Sequence, residues 1–344
     1  MVNKKLYVIY TGGTIGMVNT SEGYQPKAGY LAERLTQMQL MYDAHMPDYD
    51  LQEYVPLIDS ANAQPSDWVT IANDIWRNQA KYDGFVVLHG TDTLAYTASA
   101  LSFMLMGLNK PVICTGAQIP ISEPRSDAFD NILHSLIFAM DARIHEVCIY
   151  FSKLLLRGNR SVKVDASGLG AFDSPNYPIL GRVGVEIELY PERLWTSRPK
   201  ANLLNQTATY DDDLPKIAML TVFPGMDASV LSHVLQTPLQ GLVLKSYGAG
   251  NMPQTAAMMQ TLQEATRRGV VIVNCTQCIK GHVNMAAYQT AQGLRQAGVI
   301  SGADMTDEAA LTKLFCLLRF SGQSTIEIKK MLGQNITGEL SSTT

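Results

Sequence analysis

Three short segments carry hydroxyl, carboxylate and glycine residues at a spacing suited to chemistry on a small polar molecule. They are Thr11-Gly12-Gly13-Thr14-Ile15-Gly16, His89-Gly90-Thr91-Asp92-Thr93 and Thr115-Gly116-Ala117-Gln118-Ile119-Pro120. Glycines let backbone N–H groups approach a ligand closely and hold an oxyanion or a phosphate. A threonine hydroxyl can attack a carbonyl carbon once a neighbour takes its proton. An aspartate next to a threonine suits the ammonium group of a zwitterionic substrate. Each feature also has a plain structural explanation. Gly-Gly-Thr is ordinary turn composition, and Asp92 stands where it could simply cap a helix. A nucleotide site is disfavoured, because neither the G-x-G-x-x-G spacing nor a Gly-Lys-Ser/Thr phosphate loop is present.

These segments share a position relative to the strands that must carry them. Apolar runs rich in β-branched residues occur at Leu6–Tyr10, Phe85–Leu88, Val112–Thr115, Val147–Phe151, Ile217–Phe223, Leu242–Leu244 and Val270–Asn274. Continuous apolar character is what a strand buried on both faces requires. Helical spacing lies between them, as in Trp68, Ile71, Ala72 and Ile75 after Pro65-Ser66-Asp67. Thr93–Met106, Ser126–Ala142, Ala228–Leu235, Pro253–Arg268 and Asn284–Ala297 read the same way. Alternating strands and helices give an α/β fold with mainly parallel sheets. In such sheets ligands bind beyond the carboxyl ends of the strands. The three polar segments follow three strand ends and so are expected to share one pocket.

The proline- and asparagine-rich stretch from Tyr190 to Pro215, with its acidic triplet Asp211–Asp213, breaks this rhythm. It divides the chain into an N-terminal catalytic α/β domain (1–190), a linker (191–215) and a smaller C-terminal α/β domain (216–344). The 344 residues are 46% hydrophobic and 17% charged, enough apolar material for a large core, with a formal net charge of −4. That balance, without a basic stripe, argues against nucleic acid or an anionic membrane as partner. No run approaches the ~18 apolar residues of a membrane span. The run after Lys4 and Lys5 is shorter than the roughly 7–15 apolar residues of a secretion signal. A cytoplasmic protein is expected. Five cysteines, mostly inside apolar runs, fit reduced thiols better than disulfides. Cys275 and Cys278 have redox or zinc spacing but lack a second pair, and the six histidines show no metal-ligand spacing. Neither a metal nor a cofactor is expected.

Taken together, Thr11–Gly16, His89–Thr93 and Thr115–Pro120 followed by Arg125-Ser126-Asp127 resemble the signature segments of bacterial-type L-asparaginases, closest to the cytoplasmic type I branch. The resemblance extends to Ser246–Asn251 and Gly302–Thr306. It implies two α/β domains and a homodimer or dimer of dimers. It also implies hydrolysis of L-asparagine to L-aspartate and ammonia through an acyl-enzyme on Thr14. Tyr24, on a closing lid, would help to activate Thr14. Thr91, Asp92 and Lys163 would form a second cluster, with Lys163 assisting proton transfer and Thr91 supporting the nucleophile or the water. Asp59 and Ser60 match positions that hold the substrate's α-amino and α-carboxylate groups, Ala117 belongs to the substrate-binding set, and Asn251 matches a contact offered across the dimer interface. Tyrosine and lysine have reference pKa values of about 10 and 10.4, so neither is a base near neutral pH unless shifted, and the identity of the base stays open. Oxyanion donors would come from backbone N–H groups, with Thr91 a further candidate. His89 is expected to hydrogen-bond locally.

Some members of that branch bind asparagine at a regulatory site. Its positions appear here as Val162, Lys245 and Cys278, where a threonine and an arginine, respectively, are usual at the first two. Lysine cannot reproduce a planar bidentate grip on a carboxylate, and valine has no hydroxyl. Effector binding is therefore expected to be weak or absent. The rival readings are a subunit of a transfer-RNA-dependent amidotransferase, which would carry an N-terminal extension, a non-catalytic amino-acid sensor, and a nicotinamide-dependent dehydrogenase.

Overall fold

A computed structural model of the protein describes residues 4–37, 46–196, 214–285 and 289–341 and, of 289–291, the backbone alone. The chain forms two compact units, residues 1–198 and 199–344. Most of the segment read as a linker, residues 197–213, lies outside the described residues, as do 286–288 of the expected helix Asn284–Ala297.

The first unit begins with β1 (Lys5–Gly12), buried along seven of its eight residues. A short hairpin, β2 (Met17–Thr20) and β3 (Gly23–Pro26), and helix α1 (Tyr30–Gln37) lead to β4 (Asp48–Ile58). Helix α2 (Pro65–Asn78) starts with Pro65 in its first turn, and Asp67 accepts the backbone N–H of Gln64 at 2.7 Å. Then follow β5 (Gly84–Leu88), α3 (Leu94–Met104), β6 (Val112–Thr115), α4 (Ala128–Ala139) and β7 (Val147–Phe151). These five main strands lie parallel in the order β4-β1-β5-β6-β7. Strands β5, β6 and β7 are buried at every residue, as expected when helices cover both faces of a parallel sheet. Beyond β7 the sheet continues antiparallel through β8 (Leu154–Arg157), β11 (Gly181–Val183) and β12 (Ile187–Leu189). A small ladder, β9 (Val162–Lys163) with β10 (Phe172–Asp173), lies between them in sequence. Residues 191–195 pack on this unit. Leu194 joins its core, and Glu146 accepts from the Trp195 backbone N–H and from the buried Arg157.

The chain leaves β1 toward β4 on one side and later adds β5 on the other. The crevice between β1 and β5 is thus the switch point of the topology, where open sheets bind ligands. Here the strand ends are in backbone contact, and three glycines permit it. A Cβ on Gly12 (φ +135°) would lie 2.2 Å from the Ile58 carbonyl oxygen. One on Gly13 (φ +86°) would lie 2.3 Å from Gly90 Cα, and one on Gly90 would lie 2.4 Å from Ser60 Oγ. Thr93 Oγ1 donates to the Ser60 carbonyl (2.8 Å), Thr11 Oγ1 to Leu88 (3.0 Å), and the His89 N–H to Thr115 (2.8 Å). The ends of β1, β4, β5 and β6 are therefore fixed to one another.

The second unit has an all-parallel sheet, β13 (Ile217–Thr221), β14 (Gly241–Ser246), β15 (Val271–Thr276) and β16 (Ile300–Ser301), in chain order. Its helices are α5 (Ala228–Val234), α6 (Ala256–Arg267), α7 (Gln289–Gln296), α8 (Asp307–Phe320) and α9 (Thr325–Leu332). Asp227, Thr255, Thr306 and Ser324 cap α5, α6, α8 and α9 through their side chains, each worth about 1 kcal/mol. Lys313 of α8 and Glu339 form a fully buried ion pair. Lys313 also donates to the Leu332 carbonyl at 3.0 Å, while Glu339 accepts the N–H of Thr337 at 2.7 Å. The pair anchors the final segment to α8. Among the described residues no helix is long and apolar enough to cross a membrane.

Two predictions follow from this packing. Gly13→Ala should destabilise the protein by at least about 2 kcal/mol through overpacking and backbone strain. Gly23→Ala also has a positive φ (+103°) but meets no atom within 4 Å, so it should cost less in the same urea titration. Equal losses for the two variants would argue against the close approach. Glu308 of α8 is half-buried, and burial raises its carboxyl from 4.5 to about 7. Its contribution to stability is then complete below about 4.5 and is lost as pH rises through about 7. Thermal melts should show Glu308→Gln gaining stability relative to wild type between about pH 5 and about pH 8. A difference independent of pH would contradict it.

Candidate active site

Thr14 opens a single 3-10 turn, Thr14–Gly16, directly after β1 and is half-buried. The turn leads into the hairpin that carries Tyr24. The hairpin base is joined to the loop after β6, since the Ile121 N–H donates to Ile15 (3.1 Å) and Ser122 Oγ to Met17 (3.2 Å). Tyr24 itself is 47% exposed, and its hydroxyl donates to Glu123 Oε1 at 3.0 Å. The carboxylate so close to the phenol raises the tyrosine's pKa.

The second cluster joins the loop after β5 to strand β9. Lys163 Nζ donates to Thr91 Oγ1 at 2.9 Å and to Asp92 Oδ1 at 2.8 Å, although 72 and 71 positions separate them in sequence. Asp92 is exposed, Thr91 buried. An ion pair this open adds little to stability, so its consequence is to hold the ammonium beside the Thr91 hydroxyl. Thr14 follows Gly13, and Thr91 follows Gly90. The contact of these two glycines therefore brings the first and second polar segments together.

Ser60 is buried on the turn after β4, against Gly90. Asp59 is exposed and caps that turn, accepting from the Ala61 N–H at 3.3 Å and from Asn62 at 3.2 Å. Ala117 is buried, its methyl packed in the hydrophobic core. His89 is buried, and burial lowers its pKa. Its Nδ1 lies 2.8 Å from the Gly90 carbonyl, which can only accept, so Nδ1 donates. Nε2 then accepts from the Thr97 hydroxyl at 3.1 Å.

Two site features carried no role in the sequence. Gln118 Oε1 accepts from the Thr91 hydroxyl at 3.1 Å. The Gln118 and Ile119 N–H groups both donate to Asp127 (3.1 and 2.9 Å), which also accepts from Asn131 (3.1 Å). Glu123 is the second, holding Tyr24. Gln118 and Asp127 stand within the quoted segments, but nothing in their spacing indicates which side chain they meet.

The remaining named residues are distributed over both units. Val162 is half-buried on β9 in the first. In the second, Asn251 forms a bridge with Tyr247, each N–H donating to the other's carbonyl at 2.8 Å. Lys245 on β14 is paired with Asp307. Cys278 is exposed, while Cys275 is buried and its thiol pKa is raised by that burial, which opposes the thiolate that redox or zinc chemistry needs. Among the described residues no group of three or more His, Cys, Asp or Glu side chains could hold a metal ion.

Comparison with known proteins identifies a family. A family model described as "Asparaginase, N-terminal" matches residues 5–195, and one described as "Glutaminase/Asparaginase C-terminal domain" matches residues 216–332. L-asparaginase 1 of Escherichia coli strain K12 is 47% identical over 340 residues, covering 99% of each chain. The crystal structure of L-asparaginase I from Vibrio cholerae superposes with a TM-score of 0.89 at 43% identity, covering 99% of this chain and 100% of that one. The thermostable L-asparaginase from Thermococcus kodakarensis gives 0.85 at 33% identity, with 98% and 100% covered. With both of its domains matched along nearly their whole length, the chain belongs to the asparaginase family.

Proposed function

We propose that this protein is an amidohydrolase that converts L-asparagine to L-aspartate and ammonia, with Thr14 as nucleophile. The observation that carries the proposal is the contact of Gly13 with Gly90 at the topological switch point, which joins the segment that carries Thr14 to the one that carries Thr91, whose hydroxyl is bonded to Lys163, itself paired with Asp92. Thr14 Oγ1 attacks the side-chain amide carbon, the C–N bond breaks with a proton delivered to nitrogen, and ammonia leaves. Water then attacks the Thr14 ester and releases aspartate. Binding rests on charge complementarity. Carboxylates of Asp59 and Asp92 suit the substrate's α-ammonium group, and Ser60 with neighbouring backbone N–H groups suits its α-carboxylate. Lys163, bonded to Thr91 and Asp92, assists proton transfer, and Tyr24 joins once the hairpin leaves Glu123 and closes over the site.

We further assign a cytoplasmic location, in keeping with four buried cysteines and a fifth exposed one, all free thiols. By family resemblance the working form is a homodimer or dimer of dimers, with Asn251 contributed across the interface. The Lys245 ammonium is paired with Asp307, and Val162 offers no hydroxyl, so an asparagine effector would find neither group ready to grip it. The rate should therefore follow L-asparagine hyperbolically, whereas a sigmoidal curve made hyperbolic by Lys245→Ala would refute this.

Ammonia release from L-asparagine by purified protein tests the main proposal. Thr14→Ala should fold, bind L-asparagine and lose at least ~100-fold in rate, as expected when a covalent nucleophile is removed. Equal release by both proteins would take the role from Thr14.

A further inference from the structure

The buried Thr91 hydroxyl has two partners whose chemistry fixes where its proton lies. An ammonium has no acceptor capacity, so Thr91 Oγ1 accepts from Lys163 at 2.9 Å. An amide oxygen has no proton, so the single hydroxyl proton of Thr91 goes to Gln118 Oε1 at 3.1 Å. That assignment depends on which way the Gln118 amide is turned, and the surrounding groups decide it. Gln118 Nε2 faces two carbonyl oxygens, Gly168 at 3.1 Å and Ala166 at 3.3 Å. Rotating the amide would point its oxygen at both of them and leave its N–H groups toward the Thr91 hydroxyl, already approached by an ammonium. The two carbonyls belong to a turn closed by Asp165, whose Oδ1 accepts the N–H groups of Ser167 (2.8 Å) and Gly168 (2.9 Å). The backbone of Gln118 is held in turn by Asp127. Both ends of the side chain are thus anchored.

A hydroxyl oxygen has one proton and two lone pairs. With the proton committed to Gln118 and one lone pair to Lys163, Thr91 can offer a third group only its second lone pair. From this we infer that Gln118 is a positioning residue for the proposed reaction. By keeping the Thr91 proton out of the pocket, it makes Thr91 a hydrogen-bond acceptor for the attacking O–H, which aims that oxygen's lone pair at the carbonyl carbon. Thr91 does not donate to the oxyanion, so backbone N–H groups must carry that charge. No proton is transferred through Thr91 in this role. The inference rests on the amidohydrolase assignment above and names a part of its machinery that the signature segments leave without a function.

The test is a double-mutant cycle with Gln118→Leu and Thr91→Val, measuring kcat and KM for ammonia release from L-asparagine together with thermal stability. Gln118→Leu should lower kcat about 10-fold, the worth of one oriented hydrogen bond, with KM within about twofold. In the Thr91→Val background it should have no further effect, because Gln118 acts only through the missing hydroxyl. Should Gln118→Leu fail to fold, Gln118→Met, with a side chain of similar length, takes its place with the same expectation. An unchanged kcat, or the same fold-loss with and without the Thr91 hydroxyl, would overturn the inference. Wild-type protein that releases no ammonia would instead remove the proposed function and this inference with it, whereas an active wild type without coupling removes the role of Gln118 alone.

Discussion

The site depends on an approach of two main chains that no side chain could survive. At Gly13 and Gly90 the loops after β1 and β5 meet closer than a Cβ would allow. Everything chemical is placed relative to that contact. Thr14 and Thr91 are the residues that follow the two glycines, and Ser60 is pressed against the second. The contact is possible because β1 and β5 are neighbours whose connections run to opposite sides, so no crossover helix fills the crevice between their ends. Burial of the central strands on both faces then makes the position of the contact rigid, since a close-packed interior resists even small shifts.

The polar groups around this contact divide by burial, and the division matches what each can do. His89 is closed off, bonded on both ring nitrogens, and holds the loop between β5 and α3. Thr91 is buried but borders the exposed Asp92, so its partners fix its hydroxyl without hiding the cluster from a ligand. Tyr24, on an exposed hairpin, has its hydroxyl held by Glu123. The second unit shows the opposite pattern, in which the buried Lys313–Glu339 pair ties down the final segment and is fully enclosed. Such a pair costs desolvation to form, and losing one partner would leave a buried charge uncompensated.

Much of this was legible in the residues. Strands β1, β5, β6, β7, β14 and β15 declare themselves because burial on both faces demands unbroken apolar runs. The three polar segments could be assigned to one pocket because they follow β1, β5 and β6. Strand β4 was not legible. It is an edge strand with Asp48, Asp50 and Gln52 alternating toward solvent, so it lacks the apolar run of a central strand. The antiparallel extension through β8, β11 and β12 is built of strands of three or four residues, too short to carry a period. Helix α8 is buried on most of its circumference and includes the buried Lys313, so its amphipathic stripe is blurred. Within the site, nothing in its sequence neighbourhood marks Lys163, because its partners are more than 70 residues away in sequence. Gln118 had a place in a motif but no partner, since only the folded chain brings the carbonyls of Ala166 and Gly168 to its amide.

The central claim is that the hydroxyl following Gly13 becomes an ester during turnover. The direct measurement is rapid acid quenching of the protein while it consumes L-asparagine, followed by mass spectrometry of its peptides. An aspartyl group on the peptide that contains Thr14, absent without substrate, is the predicted result. Aspartyl groups found on a different residue, with the Thr14 peptide unmodified while ammonia is being released, would contradict the account.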